Sequence, residues 1–386
     1  MKCAMKVLSY VLTAAIAVVI TILLLMYTGF VPMSSGLSKL DELETLITQR
    51  FIGESDVTQM EDAAASAMVD SLGDRWSYYL SADAYQSYQD RVNNAYVGIG
   101  VTVAVREDGQ GIDIEGVTAG GPAEEAGLHS GDVLIRIDGE SFDAGDLNEV
   151  RDRIRGTAGT MVELTVLRGD EEMTFSVERR EIQVAVAQET LLTDDIGLIT
   201  ISNFDKRCYS ETVAAIQSAL DQGATSLIFD VRNNPGGYKD ELVEVLDYLL
   251  PEGVLFRSED YSGLSTTDYS DERCLDIPMA VLVNGESYSA AEFFAAALRE
   301  YDAAVIVGEQ TCGKGYFQQV YELHDGSAVG LSVGKYSTPN GVSLAGVGIT
   351  PDVVVEVDDE TFAAICSGEL EPMEDPQILA AIAALK

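Results

Sequence analysis

Between Met279 and Val307 the chain changes character in an order that few folds accommodate. Met279 to Val283 is an unbroken apolar run, the mark of a strand buried on both faces. Asn284-Gly285 interrupts it with a turn signal. Serines follow at 287 and 289, Ala290 to Leu298 reads as an alanine-rich helix, and Ala303 to Val307 is apolar again. Strand, turn, helix and strand in succession call for a sheet with helices packed against it. The same alternation runs upstream: a strand at 196–201, a helix at Tyr209–Gln222, a buried strand at 226–232 and a helix at Glu241–Leu250. The second of those strands ends in Asn233-Asn234-Pro235-Gly236-Gly237. Residues 257–276, rich in Ser, Thr, Asp and Glu, read as a loop; β-rich sequence continues to Val357, and a helix at Gln377–Leu385 closes the chain. Residues 183–386 are therefore expected to form one α/β domain.

A serine at a sharp strand-to-helix turn presents its hydroxyl where helix N-terminal amides can receive an oxyanion. Ser289 has that setting, and Lys314, framed by Gly313 and Gly315 after the second strand, is a candidate base. On these residues alone a plainer reading stays open, with Ser289 as a helix cap and Lys314 as a loop charge. The chain holds 2 histidines, His129 and His324, both in turn-like sequence. A serine mechanism here would thus draw on lysine sooner than on histidine.

The rest of the chain has a different organisation. No charged residue occurs from Val7 to Val31, and Lys2 and Lys6 precede that span. Its length suits a bilayer-crossing helix, and the positive flank puts the N-terminus in the cytoplasm and the remainder outside. Residues 1–35 are therefore expected to be an uncleaved membrane anchor. Residues 36–95 read as helical, with Leu40, Leu43, Leu46 and Ile47 and then Met60, Ala64, Met68 and Leu72 at helix spacing. A cap or homodimerisation element fits them, as does a simple connecting bundle. Residues 96–182 turn to short strands and glycine-rich turns; the stretch Gly121–Leu128 followed by Gly131–Gly139 resembles a PDZ domain. Such a domain takes an extended peptide by strand addition, with backbone amides for a free carboxylate. The resemblance assigns Gly98, Ile99 and Gly100 to the carboxylate and faces Leu147, Val150 and Ile154 to the groove, although those three equally suit a helix core. A net charge of −40 excludes nucleic acid as a partner. Cysteines at 3, 208, 274, 312 and 366 have neither metal-ligand spacing nor a disulfide framework.

From about residue 40 to the end, this succession resembles the carboxyl-terminal processing, or tail-specific, proteases. The segments that carry the resemblance are Asp230–Gly237, Asn284–Glu292, Gly308–Gly315, Tyr336–Gly341, Gly348–Val353 and Asp375–Leu379, in that order. It implies a Clp-protease/crotonase-like spiral of strands and helices. It also implies a serine–lysine dyad with a supporting glutamine. The serine three residues before Glu292 is Ser289, the lysine is Lys314, and the glutamine four residues on is Gln318. Oxyanion donors would be the amide of Ala290 and that of Gly236 or Gly237, with no metal or cofactor. Lysine acts as a base only when neutral, which burial favours, and in an extended segment Lys314 and Gln318 would share a face. Tyr288, where the family has a small residue, is expected to narrow the substrate site. Cys312 reads as a small buried filler. The function implied is a membrane-anchored serine endopeptidase that cuts proteins near their C-termini, with substrate tails captured by the PDZ domain; a homodimer through the N-terminal helical segment is a separate expectation, from that segment's apolar spacing. The alternative is a catalytically silent PDZ adaptor. Arg155, at the end of the PDZ helix, is expected to pair with an acidic group and couple peptide binding to activation.

Overall fold

The computed structural model describes residues 20–21, 38–106, 109–367 and 370–385. The chain divides into one unit up to Gly73 and a second from Asp74 onward. The first holds helices α1 (Lys39–Arg50) and α2 (Val57–Asp70). Ser38 starts α1 with a capping box: its hydroxyl accepts from Asp41 N, and the Asp41 carboxylate accepts from Ser38 N. The expected apolar stripe is present, and Leu40, Leu43 and Leu46 are all exposed. The proposed span from Val7 to Val31 lies, apart from Ile20 and Thr21, outside the described residues. Among those described, no helix is long and apolar enough to cross a membrane.

The second unit begins with a departure from the helical expectation for 36–95. Strand β1 (Tyr78–Leu80) precedes helix α3 (Ala82–Val92) and pairs antiparallel with the later strand Ala328–Ser337. The helix-period pattern stops at Gly73, and Trp76-Ser77-Tyr78-Tyr79 favours a pleated surface. Strand β2 (Ala95–Gly98) then leads into an antiparallel sheet of β3 (Val101–Val105), β4 (Ile112–Val117), β5 (Val133–Ile137), β6 (Met161–Arg168) and β7 (Glu171–Glu178), in that spatial order. Helices α4 (Pro122–Ala126) and α5 (Leu147–Ile154) close this small domain, and β8 (Arg180–Gln183) returns to pair with β2. Its core includes Ile99, Ile112, Leu134, Val150, Ile154 and Leu164. Val150 is 0% exposed and Ile154 6%, so both pack inward; only Leu147, at 36%, stays accessible. With Asp, Asn and Arg on its other faces, α5 has too narrow an apolar stripe to serve both core and groove.

The remaining residues build the layered α/β domain. Its strands are β9 (Ala187–Leu191), β10 (Ile196–Ile201), β11 (Ser226–Asp230), β12 (Gly253–Asp260), β13 (Ser265–Ser270), β14 (Met279–Val283), β15 (Ala304–Gly308), β16 (Tyr316–Glu322), β17 (Ala328–Ser337) and β18 (Val353–Val354). Its helices are α6 (Cys208–Asp221), α7 (Lys239–Leu249), α8 (Ala290–Glu300), α9 (Asp359–Ser367) and α10 (Pro376–Ala384). One sheet runs β18-β15-β14-β11-β10-β9, parallel except for β9. The cluster containing residues of α6, α7 and α8 packs on one side, and the cluster containing Ile378, Ala381 and Ile382 of α10 on the other. β14 is buried at all its positions, as its uninterrupted apolar sequence requires. The second sheet is antiparallel, β1-β17-β12-β13, with β16 also on β17. Within it, β12 and β13 form a hairpin where a loop was expected. The Ser, Thr and Asp of β13, of which only Ser270 is buried, give no hydrophobic alternation, so this strand has the composition of a loop.

Candidate active site

At the end of β14 the chain turns sharply and α8 starts at Ser289. Ser289 has φ 60° and ψ −119°, a conformation costly for a residue with a side chain. The turn that imposes it is tied down from within. Ser287 is fully buried, donates to Val231 O at 2.7 Å and accepts from Asn284 N at 3.0 Å. Asn284 in turn exchanges hydrogen bonds with Asn233. Ser287 therefore holds the turn, and Ser289 projects from it.

Glu292, in the first turn of α8, is 0% exposed and collects donors from both halves of the site. Its Oε1 accepts from Thr311 Oγ1 at 2.5 Å and Gly313 N at 2.6 Å; its Oε2 accepts from Lys314 N at 2.9 Å and Ser289 N at 3.1 Å. One carboxylate oxygen thus receives the backbone amides of both Ser289 and Lys314. Charge-assisted bonds to a buried carboxylate are the strong kind. Tyr336, also buried, donates its hydroxyl to Lys314 O and faces the Ser289 side chain. Burial pushes its phenol far above the ordinary tyrosine range.

Lys314 is half-buried. Its Nζ lies 4.9 Å from the centroid of the Trp76 ring and 5.8 Å from that of Tyr288, and these two rings are 6.0 Å apart. Burial lowers its pKa from 10.5 to about 8, against the upward pull of Cys312, Asp74 and Glu292. Aromatic faces attract an ammonium, but here the loss of hydration outweighs that attraction. Trp76 and Asp74 belong to the segment read from sequence as a helical cap. Asp74 shapes the turn by accepting from Trp76 N at 3.2 Å and Ser77 Oγ at 2.6 Å. The lone tryptophan next to a Gly-Asp turn was the available signal. Tyr288 borders the lysine amine; its expected effect on the substrate site is not what these contacts describe. Cys312 is half-buried rather than a sealed filler, with Arg75 Nη2 donating to its sulfur at 3.5 Å.

Gln318 donates to Tyr316 O at 3.2 Å and to Ser332 Oγ at 3.1 Å. The shared-face argument for Lys314 and Gln318 does not hold, because Lys314 precedes β16 and the pairing of β16 with β17 shifts register between Phe317 and Gln318. Gln318 instead joins a chain through Ser332, whose amide donates to Ser77 Oγ at 3.0 Å, and on to Asp74. Among the described residues no hydrogen bond joins Lys314 Nζ to Ser289 Oγ or to Gln318; the two backbones are what Glu292 brings together.

Gly236 packs directly on the serine turn. A Cβ on it would lie 2.7 Å from Ser289 Cβ and 2.8 Å from Ala290 N, and its φ of +89° also favours glycine. Its own amide is occupied, donating to Asn234 Oδ1 at 2.8 Å. In the PDZ-like domain, Ile99 is buried and its carbonyl accepts from Ala123 N, while the Gly100 carbonyl accepts from Thr118 N. Among the described residues, strand β3, which follows, has β4 as its one neighbour, and its other edge is unpaired. The Arg155 guanidinium lies over the Tyr96 ring at 5.1 Å, and no ion pair among the described residues includes it, which corrects the expected acidic partner.

Residues 195–355 match the model of peptidase family S41, and residues 114–168 match that of the PDZ domain. The protein named "Probable CtpA-like serine protease" in Staphylococcus aureus (strain COL) is 32% identical over 326 residues, covering 83% of this chain and 65% of that protein. Its namesake in Staphylococcus haemolyticus (strain JCSC1435) is 32% identical over 358 residues, covering 89% and 70%. The chain thus spans just under two thirds of the length of the S. aureus relative. A solved structure from Bacteroides fragilis NCTC 9343, described as S41, has a TM-score of 0.55 at 16% identity over 92% of this chain and 98% of that one, a likeness of fold alone. With its PDZ domain and these relatives, the chain belongs to peptidase family S41 as a CtpA-like member.

Proposed function

We propose that this chain is a serine endopeptidase that cleaves proteins near their C-termini with Ser289 as nucleophile and Lys314 as base. The observation that carries the reading is the convergence of the Ser289 and Lys314 amides on one oxygen of the buried Glu292. Neutral Lys314 takes the Ser289 hydroxyl proton as Oγ bonds to the scissile carbonyl carbon. The resulting oxyanion is received by the amides of Ala290 and Gly237. Gly237 is preferred because the Gly236 amide is already given to Asn234. Each such donor contributes about 3 kcal/mol to transition-state stabilisation. The Lys314 ammonium then protonates the leaving amine as the C–N bond breaks. A water deprotonated by Lys314 releases the acyl group and restores Ser289. Gln318 acts at one remove, through Ser332, Ser77 and Asp74, in holding the surroundings of the amine.

The edge of β3 left unpaired among the described residues, directly after the Gly98-Ile99-Gly100 loop, suits an incoming substrate tail that adds as a strand, and Leu147, accessible on α5, is a candidate for its apolar side chains. The core fits a spiral of the Clp-protease/crotonase type, with parallel strands alternating with helices. Anchoring by residues 7–31, with the catalytic domain outside the cytoplasm, remains part of this reading, as does dimerisation through the exposed apolar side of α1. The decisive test is Ser289→Ala assayed on an unfolded model protein with an apolar tail. Cleavage is expected to vanish; cleavage at the wild-type rate overturns the assignment.

A further inference from the structure

The two strands that carry the PDZ domain and the loop that leads to α6 meet at a pair of asparagines. We infer that Asn94 and Asn203 are positioning residues for the oxyanion hole, their joined side-chain amides fixing the Phe204 peptide that orients the Gly236–Gly237 peptide. This rests on the reading of Gly237 N–H as an oxyanion donor.

The geometry runs in short steps. Asn203 Nδ2 donates to Asn94 Oδ1 at 2.7 Å, and Asn94 Nδ2 donates back to Asn203 Oδ1 at 3.2 Å. The remaining capacity is used on the same loop: Asn203 Oδ1 accepts from Asp205 N at 2.9 Å, and Asn94 Nδ2 gives to Lys206 O at 3.1 Å. Between those anchors lies Phe204, whose ring is fully buried. Its amide donates to Gly236 O at 2.7 Å, and its carbonyl accepts from Tyr238 N at 2.7 Å. A trans peptide is planar, with its C=O and N–H on opposite sides. The bond from Phe204 N–H to Gly236 O therefore aims the Gly237 N–H, the other end of the same peptide, away from Phe204. Both residues of that peptide are glycines at positive φ, so little in their own sterics resists a flip. The Phe204 loop supplies the constraint they lack.

The other end of the clamp is the root of the PDZ domain. Asn94, at φ 49°, directly precedes β2, and Val184 directly follows β8. Val184 N donates to Asn94 O at 2.8 Å, and the Arg207 guanidinium donates to the carbonyls of both. The asparagine pair thus joins the place where the PDZ domain enters and leaves the fold to the peptide that faces the oxyanion.

The test uses the whole protein with Asn94→Ala, Asn203→Ala and the double variant, a fluorogenic peptide substrate and a peptide boronate whose serine adduct places an oxygen in the hole. Each single variant is expected to lower kcat by about 10- to 100-fold, short of the full loss of a donor. KM should stay within about twofold, and boronate affinity should fall in parallel with kcat. The double variant should be no worse than about either single one, as for two halves of one contact. Asn203→Asp keeps the acceptor for Asp205 N and removes the donor to Asn94; it is expected to show the same split if the alanine variants misfold. Unchanged kcat, a change confined to KM, or singles that multiply in the double would overturn the inference. If instead Ser289→Ala stays active or the wild type fails to bind the boronate, it is the serine-protease reading that falls.

Discussion

Replacing Trp76 with alanine tests whether aromatic burial is what readies Lys314. With a pKa of about 8, Lys314 is about half neutral at pH 8; at the ordinary 10.5 only about 1 in 300 would be. Full rehydration would therefore cut the population of active base at pH 8 by up to ~150-fold. Trp76 is one of two rings against the amine, and removing it also removes its own attraction for the ammonium, about 1 kcal/mol. The expected loss of kcat/KM in Trp76→Ala at pH 8 is accordingly about 10- to 100-fold. The direction with pH is fixed. A base is active above its pKa, so wild-type kcat/KM should rise through about 8. The ascending limb of the variant should move toward 10.5, and most of the lost rate should return at high pH. The assay is a pH–rate profile on a substrate without titrating groups, with Trp76→Phe as a conservative control that keeps the limb near its place. A limb still near 8 in Trp76→Ala, or a loss of the same size at every pH, would refute the argument.

Three further expectations follow from the geometry. Glu292→Gln keeps one acceptor oxygen but turns an NH2 toward two donors, so kcat should fall by at least ~100-fold and stability by about 3–5 kcal/mol, measured by urea denaturation. Asp375→Ala leaves Arg232, buried and otherwise paired with Asp230, without its 2.7 Å partner on the segment leading to α10; a loss of about 3–5 kcal/mol is expected, and a change below about 1 kcal/mol would show the pair to be dispensable. Burial raises the Asp205 carboxyl from 3.8 to about 7. The folded state then binds more protons than the unfolded one between those values, so wild-type stability should fall as pH rises through 3.8 to 7 relative to Asp205→Asn, as urea titrations across that range would show.

Much of this architecture was legible in the sequence because its signals are local. The Met279–Val283 run had to be a central strand, and Gly121-Pro122 had to open a helix, since both follow from periodicity and backbone restriction. Ser289 and Lys314 were singled out through their motifs, and the structure adds that both their amides reach one oxygen of Glu292. Trp76 was not, because what matters about it is a contact made across the fold to a lysine far along the chain. Glu292 served to number the motif, yet its four donors come from two loops that only the tertiary structure brings together. Gln318 was misplaced for a third reason: a register shift in β16 breaks the alternation on which the shared-face argument relied. Val150 and Ile154 went to the core because the one narrow apolar stripe of α5 is taken up by the interior of its own small domain.

The pairing of β2 with β8 also bears on how such a chain folds. A sheet that spans an insertion normally waits for a long loop to close. Here the inserted domain has its own core, and its two ends are already hydrogen-bonded to each other. Once that domain has formed, the rest of the chain meets it as a turn of a few residues in place of a loop of ~80, a difference of about 2–3 kcal/mol in closure entropy. Folding of the PDZ domain first would thus bring α3 and β9 within reach of each other and hasten assembly of the catalytic sheet. A PDZ domain destabilised by mutation should slow refolding of the whole protein even when no peptide is bound.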